Sequence, residues 1–244
     1  MLDAMTRFEG RVALVTGASG GIGGRIAERL AGEGAIVALH YASNAEPAQQ
    51  LAATLPGAGA FGADLGDADA AERLVDEVEA TLGPVEVLVA NHGVGGVANV
   101  DEVDAAAFDA MMAVNLRAPY LLARRALRGM RERGFGRILF MSSVAGLTGG
   151  IIGPHYAASK SGLHGLAHYL AARAAKHGVT VNVLAPALIE DTGMLPGDPS
   201  DLAKRIPVGR VGRPEEVADL ALAVLRNGYM TSQVVGLDGG IYPR

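Results

Sequence analysis

Seven short apolar runs, separated by amphipathic stretches of helical period, constrain the fold of this chain more than any other feature. The runs lie at 12–16, 36–41, 59–63, 85–90, 137–141, 179–185 and 234–237. The helical stretches lie at 23–33, 46–55, 68–82, 104–132, 156–177 and 214–226. Most of the runs are apolar on both alternating faces, the pattern of a parallel sheet covered by helices on each side. Strand alternating with helix this regularly predicts right-handed βαβ units. The expected fold is therefore a doubly wound α/β domain with a predominantly parallel sheet of seven strands. At 244 residues, half of them hydrophobic, the chain can bury the core of one such domain spanning 1–244.

Composition removes several classes of function. A net charge of −5 disfavours nucleic acid as a partner. The absence of cysteine excludes disulfides, thiolate zinc sites and a cysteine nucleophile. No stretch approaches the roughly 18 unbroken apolar residues of a membrane span. The first ten residues carry Asp3, Arg7 and Glu9, and the apolar run at 12–15 is too short for a signal sequence. A cytoplasmic protein without membrane contact is expected. Residues 190–207, punctuated by Pro196, Gly197, Pro199 and Ser200, follow the sixth strand. They would overhang the edge of the sheet where such folds bind ligands, and are read as a substrate lid.

The first strand runs directly into Thr16-Gly17-Ala18-Ser19-Gly20-Gly21-Ile22-Gly23 and then a helix. Glycines at 17, 21 and 23 suit a tight turn and close approach of a pyrophosphate to the backbone. The free N–H groups at the helix start would face that anion. No Lys-Ser/Thr pair closes the turn, so it is not a P-loop. A second cluster is Tyr156-Ala-Ala-Ser-Lys160, which places a phenol and an ammonium on one helical face. A nearby cation favours the phenolate, so Lys160 is expected to lower the phenol's pKa from its usual value near 10. Ser142-Ser143 ends the fifth strand, and Asn115 is a lone polar residue in an apolar segment.

These pieces together resemble the short-chain dehydrogenase/reductase family, whose Rossmann-type fold agrees with the periodicity. The similarity runs from Gly10 to Gly240 through Thr16-Gly-x-x-x-Gly-Ile-Gly23, Ala63-Asp64-Leu65, Asn91-His92-Gly93, Asn115, Ser143, Tyr156-x-x-x-Lys160, Pro186 and Asp238-Gly239-Gly240. Within the family the chain looks most like the bacterial 3-oxoacyl-carrier-protein reductases and acetoacetyl-CoA or ketone reductases. The stretch from Arg205 to Val217, Arg-Ile-Pro-Val-Gly-Arg-Val-Gly-Arg-Pro-Glu-Glu-Val, carries that likeness. The resemblance implies that Tyr156 donates a proton to a substrate carbonyl that Ser143 orients. It implies that Lys160 lowers the tyrosine pKa and binds the nicotinamide ribose, and that Asn115 holds a water behind it. Gly17, Ser19, Gly20, Gly21, Ile22 and Gly23 would bind the cofactor phosphates. Asp64 and Leu65 would meet the adenine, Asn91 and Gly93 would line the cleft, and Ile189 would bind the carboxamide. The assembly implied is a homotetramer.

Several positions depart from the family pattern. His92 stands where the family has a small residue, and is read as a packed, hydrogen-bonded histidine. Pro186-Ala187 replaces Pro-Gly, Thr192 falls one position late, and His155 precedes the tyrosine, as a substrate contact or an exposed loop residue. No acidic residue occurs from 38 to 44, where NAD enzymes bind the ribose 2′-OH. Tyr41 ends the second strand, and Ser43 offers a neutral hydrogen bond. NADP(H) is favoured over NAD(H), although Gly20 and Ala42 stand where basic residues often bind the 2′-phosphate. Arg117, Arg124, Arg125, Arg128, Arg131, Arg133 and Arg137 make the middle of the chain basic. They are either a solvated helix face with acidic partners across a subunit boundary, or a dock for acyl carrier protein or coenzyme A. The expected activity is reduction of a ketone or 3-oxoacyl thioester. The alternatives are an NAD-dependent alcohol or sugar dehydrogenase and a non-catalytic dinucleotide sensor.

Overall fold

The computed structural model describes residues 8–193, 195 and 197–242, so Asp3, Arg7 and Pro196 lie outside the described residues. Strands β1 (Val12–Val15), β2 (Ile36–Tyr41), β3 (Gly59–Gly62), β4 (Val85–Ala90), β5 (Gly136–Met141), β6 (Val179–Pro186) and β7 (Val234–Leu237) form one sheet. Its order is β3-β2-β1-β4-β5-β6-β7, and all neighbours are parallel. The strands lie within two residues of the expected runs because each is a contiguous apolar segment, buried on both faces in the centre of the sheet.

Side chains alternate across a strand, so each strand feeds two cores. Leu14, Leu88, Ile138 and Phe140 face one layer, formed by α3 (Ala70–Leu82), α5 (Ala118–Arg133) and α7 (Pro154–Ala174). Val15, Leu39, Val89 and Leu139 face the other, where α1 (Gly21–Gly32), α2 (Glu46–Thr54) and α9 (Pro214–Arg226) pack. Each fully buried Leu, Ile, Val or Phe contributes roughly 1.5–3 kcal/mol. After β1 the chain steps outward to β2 and β3, then crosses back to β4. The connections leaving β1 and β4 diverge there and open a crevice at their C-terminal ends.

The helix expected at 104–132 divides into α4 (Ala105–Met112), a π-helical turn (Ala113–Arg117) and α5. Pro119 has no N–H to donate to the carbonyl of Asn115 four residues back, so the helix takes one wider turn. Two short helices, α6 (Ala145–Thr148) and α8 (Pro199–Ala203), were not expected. They are too short to show a period in the sequence. Two arginines of α5 have acidic partners on the neighbouring helix of the same chain. Arg124 pairs with Glu72 at 2.8 Å, and Arg125 pairs with Asp76 at 2.7 Å and Glu79 at 2.9 Å, all on α3. The acidic neighbours are thus on the adjacent helix rather than across a subunit boundary. Among the described residues, no helix is long and apolar enough to cross a membrane.

Candidate active site

The turn after β1 is held by a dense set of hydrogen bonds. Asn91 Nδ2 donates to the carbonyls of Thr16 and Gly17 at 3.0 and 3.2 Å. A side chain at Gly17 would meet the His92 backbone at 3.0 Å, and one at Gly23 would collide with the Gly17 carbonyl. This cradle closes so tightly on itself that only glycine fits, which brings the N-terminus of α1 against the turn. Exposed N–H groups at that terminus suit a pyrophosphate, so the chain's own backbone fits the dinucleotide its sequence implies.

Two histidines support the turn from below. Burial, with His40 and Lys160 nearby, lowers the His92 pKa to about 3, so the ring is neutral. Its Nε2 lies 3.0 Å from the Val114 carbonyl and donates there. Nδ1 then accepts from the Thr16 hydroxyl at 2.6 Å. His40 is buried at the end of β2, and burial lowers its pKa also. Its Nδ1 accepts from the Gly17 N–H at 3.2 Å, while Nε2 donates to the Ala63 carbonyl at 3.0 Å. His92 is therefore packed and hydrogen-bonded, as expected. His40 was not anticipated, although one polar residue in the apolar run Ile-Val-Ala-Leu-His-Tyr signals a need for a partner.

A cleft of about 1090 Å³ opens over the C-terminal ends of the strands. Ser143, two residues past the end of β5, and Tyr156, on the first turn of α7, both line it, with the Ser143 hydroxyl close enough to favour the charged form of the phenol. Burial raises the Tyr156 pKa, and the Ser143 hydroxyl offsets only part of that rise. The direction is opposite to the lowering expected from Lys160. The reason is geometric: the ammonium lies 5.7 Å from the ring centroid and donates to the Met141 carbonyl at 2.9 Å. Lys160 is itself enclosed, and burial lowers its pKa to about 8.

Asn115, in the π-helical turn, is fully buried one layer behind the cleft. Its Oδ1 accepts from the Val94 N–H and its Nδ2 donates to the Val94 carbonyl, both at 2.9 Å. The same Nδ2 lies 3.2 Å from Ser159 Oγ. Asn115 therefore clamps the loop after β4 to the helix that carries Tyr156 and Lys160.

Of the positions expected to meet a cofactor, Gly17, Ser19, Gly20, Gly21, Ile22, Asp64, Leu65, Asn91, Gly93 and Ile189 line the cleft. Gly23 serves packing behind it. Tyr41 and Ser43 lie outside its lining. The two-residue period of β2 turns Tyr41 toward the α2 side, against Gly62, while His40 and Ala42 border the cleft and Ser43 is exposed. His155 is neither exposed nor in the cleft: it is buried on α7, its Nδ1 without a hydrogen-bond partner. Of the 190–207 segment, Asp191, Thr192, Gly193, Leu195 and Arg205 border the cleft.

Comparison with known proteins agrees with this architecture. The short chain dehydrogenase family profile matches residues 11–202. The chain is 37% identical over 244 residues to nodulation protein G of Azospirillum brasilense, covering 95% of this chain and 98% of the relative. It is 35% identical over 243 residues to acetoacetyl-CoA reductase of Allochromatium vinosum, covering 95% and 98%. The solved structure of a short-chain dehydrogenase/reductase from Serratia marcescens superposes with a TM-score of 0.89 at 32% identity, over 97% of this chain and 99% of that one. Fold, glycine turn and sequence agree, and the chain belongs to the short-chain dehydrogenase/reductase family.

Proposed function

We propose that this oxidoreductase reduces a ketone, of the 3-oxoacyl thioester class, to a secondary alcohol, with NADP(H) favoured over NAD(H). The carrying observation is the buried Tyr156 phenol beside Ser143 in the cleft, with Lys160 one helical turn away. A nicotinamide cofactor, when bound, supplies the hydride. Tyr156 holds its proton at neutral pH because burial raises its pKa, the state a proton donor requires. Ser143 Oγ, anchored by the Ala145 N–H at 3.1 Å, holds the carbonyl oxygen in reach of the phenol. Lys160 carries its charge below about pH 8 and supports the ribose and the phenol from behind. The thioester class is supported by similarity to an acetoacetyl-CoA reductase. The cofactor preference is supported by the lack of any carboxylate at 38–44 to repel a 2′-phosphate.

Residues 190–207 act as the substrate lid in this reading, a role supported by Asp191, Thr192, Gly193, Leu195 and Arg205 on the cleft wall. The assembly proposed is a homotetramer, with Phe108 and Tyr169 exposed on α4 and α7 as candidate contacts. A carrier-protein dock on α5 has less support, because Arg124 and Arg125 are already paired with α3.

Replacing Tyr156 by Phe removes the proton donor and keeps the ring. Turnover of a 3-oxoacyl thioester should fall about 10²–10⁴-fold, while the dissociation constant for NADPH stays within about threefold. Retention of more than a tenth of the wild-type rate, with chemistry rate-limiting, would reject the assignment.

A further inference from the structure

The charged residues on the cleft walls are Asp64, Asp191, Lys160 and Arg205. Lys160 donates to the Met141 carbonyl and already has a role in the proposed reaction, and Asp64 accepts from the Gly66 N–H. Arg205 differs from every cation near it in sequence. Lys204 pairs with Asp201, Arg210 with Glu216, and Arg213 with Glu190. Among the described residues, Arg205 has neither an ion pair nor a side-chain hydrogen bond. Its segment is anchored, since Leu202 and Ile206 are buried in an apolar cluster with Val211, beside Leu188 and Ile241. Arg205 is exposed and borders the cleft from a held segment, and Leu188, Leu195 and Ile241 line the cleft as well.

The sheet order says which end of the cleft this is. The adenosine end lies by β2 and β3, where Ala42 and Asp64 border the cleft. Arg205 lies on the segment that follows β6, anchored beside Leu188 and Ile241, which follow β6 and β7, at the opposite side of the sheet. It cannot serve a phosphate on the adenosine ribose. We infer that Arg205 is a specificity-determining residue for an anionic group on the substrate, a carboxylate or phosphate oxygen, which a guanidinium binds with two parallel hydrogen bonds. This rests on the ketoreductase reading above and narrows its substrate class to acidic oxo compounds.

The test uses three substrates with one reacting group. They are the neutral N-acetylcysteamine thioester of acetoacetate, acetoacetyl-CoA, and free acetoacetate. In Arg205→Met, kcat/KM for at least one acidic substrate should fall tenfold or more, chiefly through KM, while the neutral thioester changes less than threefold. Loss with acetoacetate alone assigns a carboxylate beside the ketone, and loss with acetoacetyl-CoA alone assigns the coenzyme phosphates. Equal small changes in all three overturn the role of Arg205 while leaving ketone reduction intact. If none of the three is reduced, the ketoreductase reading fails separately. Calorimetry of the NADP⁺-loaded protein with 3-hydroxybutyrate and its methyl ester then decides the point without turnover. Acid binding no tighter than ester binding, or unaffected by Arg205→Met, overturns the inference.

Discussion

Lys160 sits where three demands meet. It is enclosed by protein, it donates to the Met141 carbonyl, and its Nζ comes within 3.0 Å of where a side chain at Gly93 would begin. Burial without a carboxylate partner lowers its pKa to about 8, so its charge is present below that pH and lost above it. Reduction by the wild type should therefore lose rate through an alkaline limb near pH 8. In Lys160→Ala we expect weaker NADPH binding and a lower rate, with that limb gone. The same limb in both proteins would remove Lys160 from the pH dependence. Asn115 acts on a different quantity. Both polar ends of its amide are used on Val94, and truncation leaves those backbone groups without partners. Asn115→Ala should cost roughly 1–3 kcal/mol in urea unfolding. A change below about 0.5 kcal/mol, which is the range of ordinary surface substitutions, would mean the clamp is not formed.

Strand ends and one helical irregularity assemble these side chains. The π-helical turn at Ala113–Arg117 lets Asn115 reach Val94, and Pro119 at the start of α5 is its local cause. The ends of β2 and β4 carry the neutral histidines that tie down the glycine turn. Both have pKa values below the ordinary 6.5 because burial disfavours their charged forms. The unfolded chain then binds protons before the folded one as pH falls below 6.5, so stability declines in that direction. Each histidine contributes up to about 1.4 kcal/mol per pH unit there. Between pH 7.5 and 5.5 the unfolding free energy should fall by roughly 1–3 kcal/mol. His92→Ala should be less stable at pH 7.5 yet show a shallower decline. A flat profile in the wild type would contradict neutral, buried rings.

Across the whole molecule, the proposed reading puts two chemistries at opposite ends of one cleft, as the sheet order allows. In that reading Ala42 borders the adenosine end, Tyr41 having turned away, and among the described residues no arginine lines that end of the cleft. Ala42→Arg should raise the ratio of kcat/KM for NADPH over NADH about tenfold, since a charge-assisted hydrogen bond is worth about 1.5–3 kcal/mol before ordering costs. Tyr41→Asp should move that ratio less than Ala42→Asp does, because only position 42 faces the cleft. If position 41 proves the stronger lever, the adenosine ribose does not lie beside Ala42.

Much of this was legible in residue order alone. Strand runs, helix periods, the glycine turn and the spacing of Ser143, Tyr156 and Lys160 are local patterns, set by backbone geometry within a few residues. The two-residue period of β2 was legible too, yet which of His40 and Tyr41 faced the cleft depended on which helix layer covered each face. The partner of His92 is Thr16, 76 residues away, and the partners of Arg124 and Arg125 lie about 50 residues away on α3. The exposed Arg205 and the buried His155 are alike polar in the sequence; only packing separated them. Periodicity records which side of an element is apolar, but the direction of a pKa shift depends on what long-range contact places beside the group. That is why the sequence named Tyr156 and Lys160, and the tertiary structure decided that burial governs both.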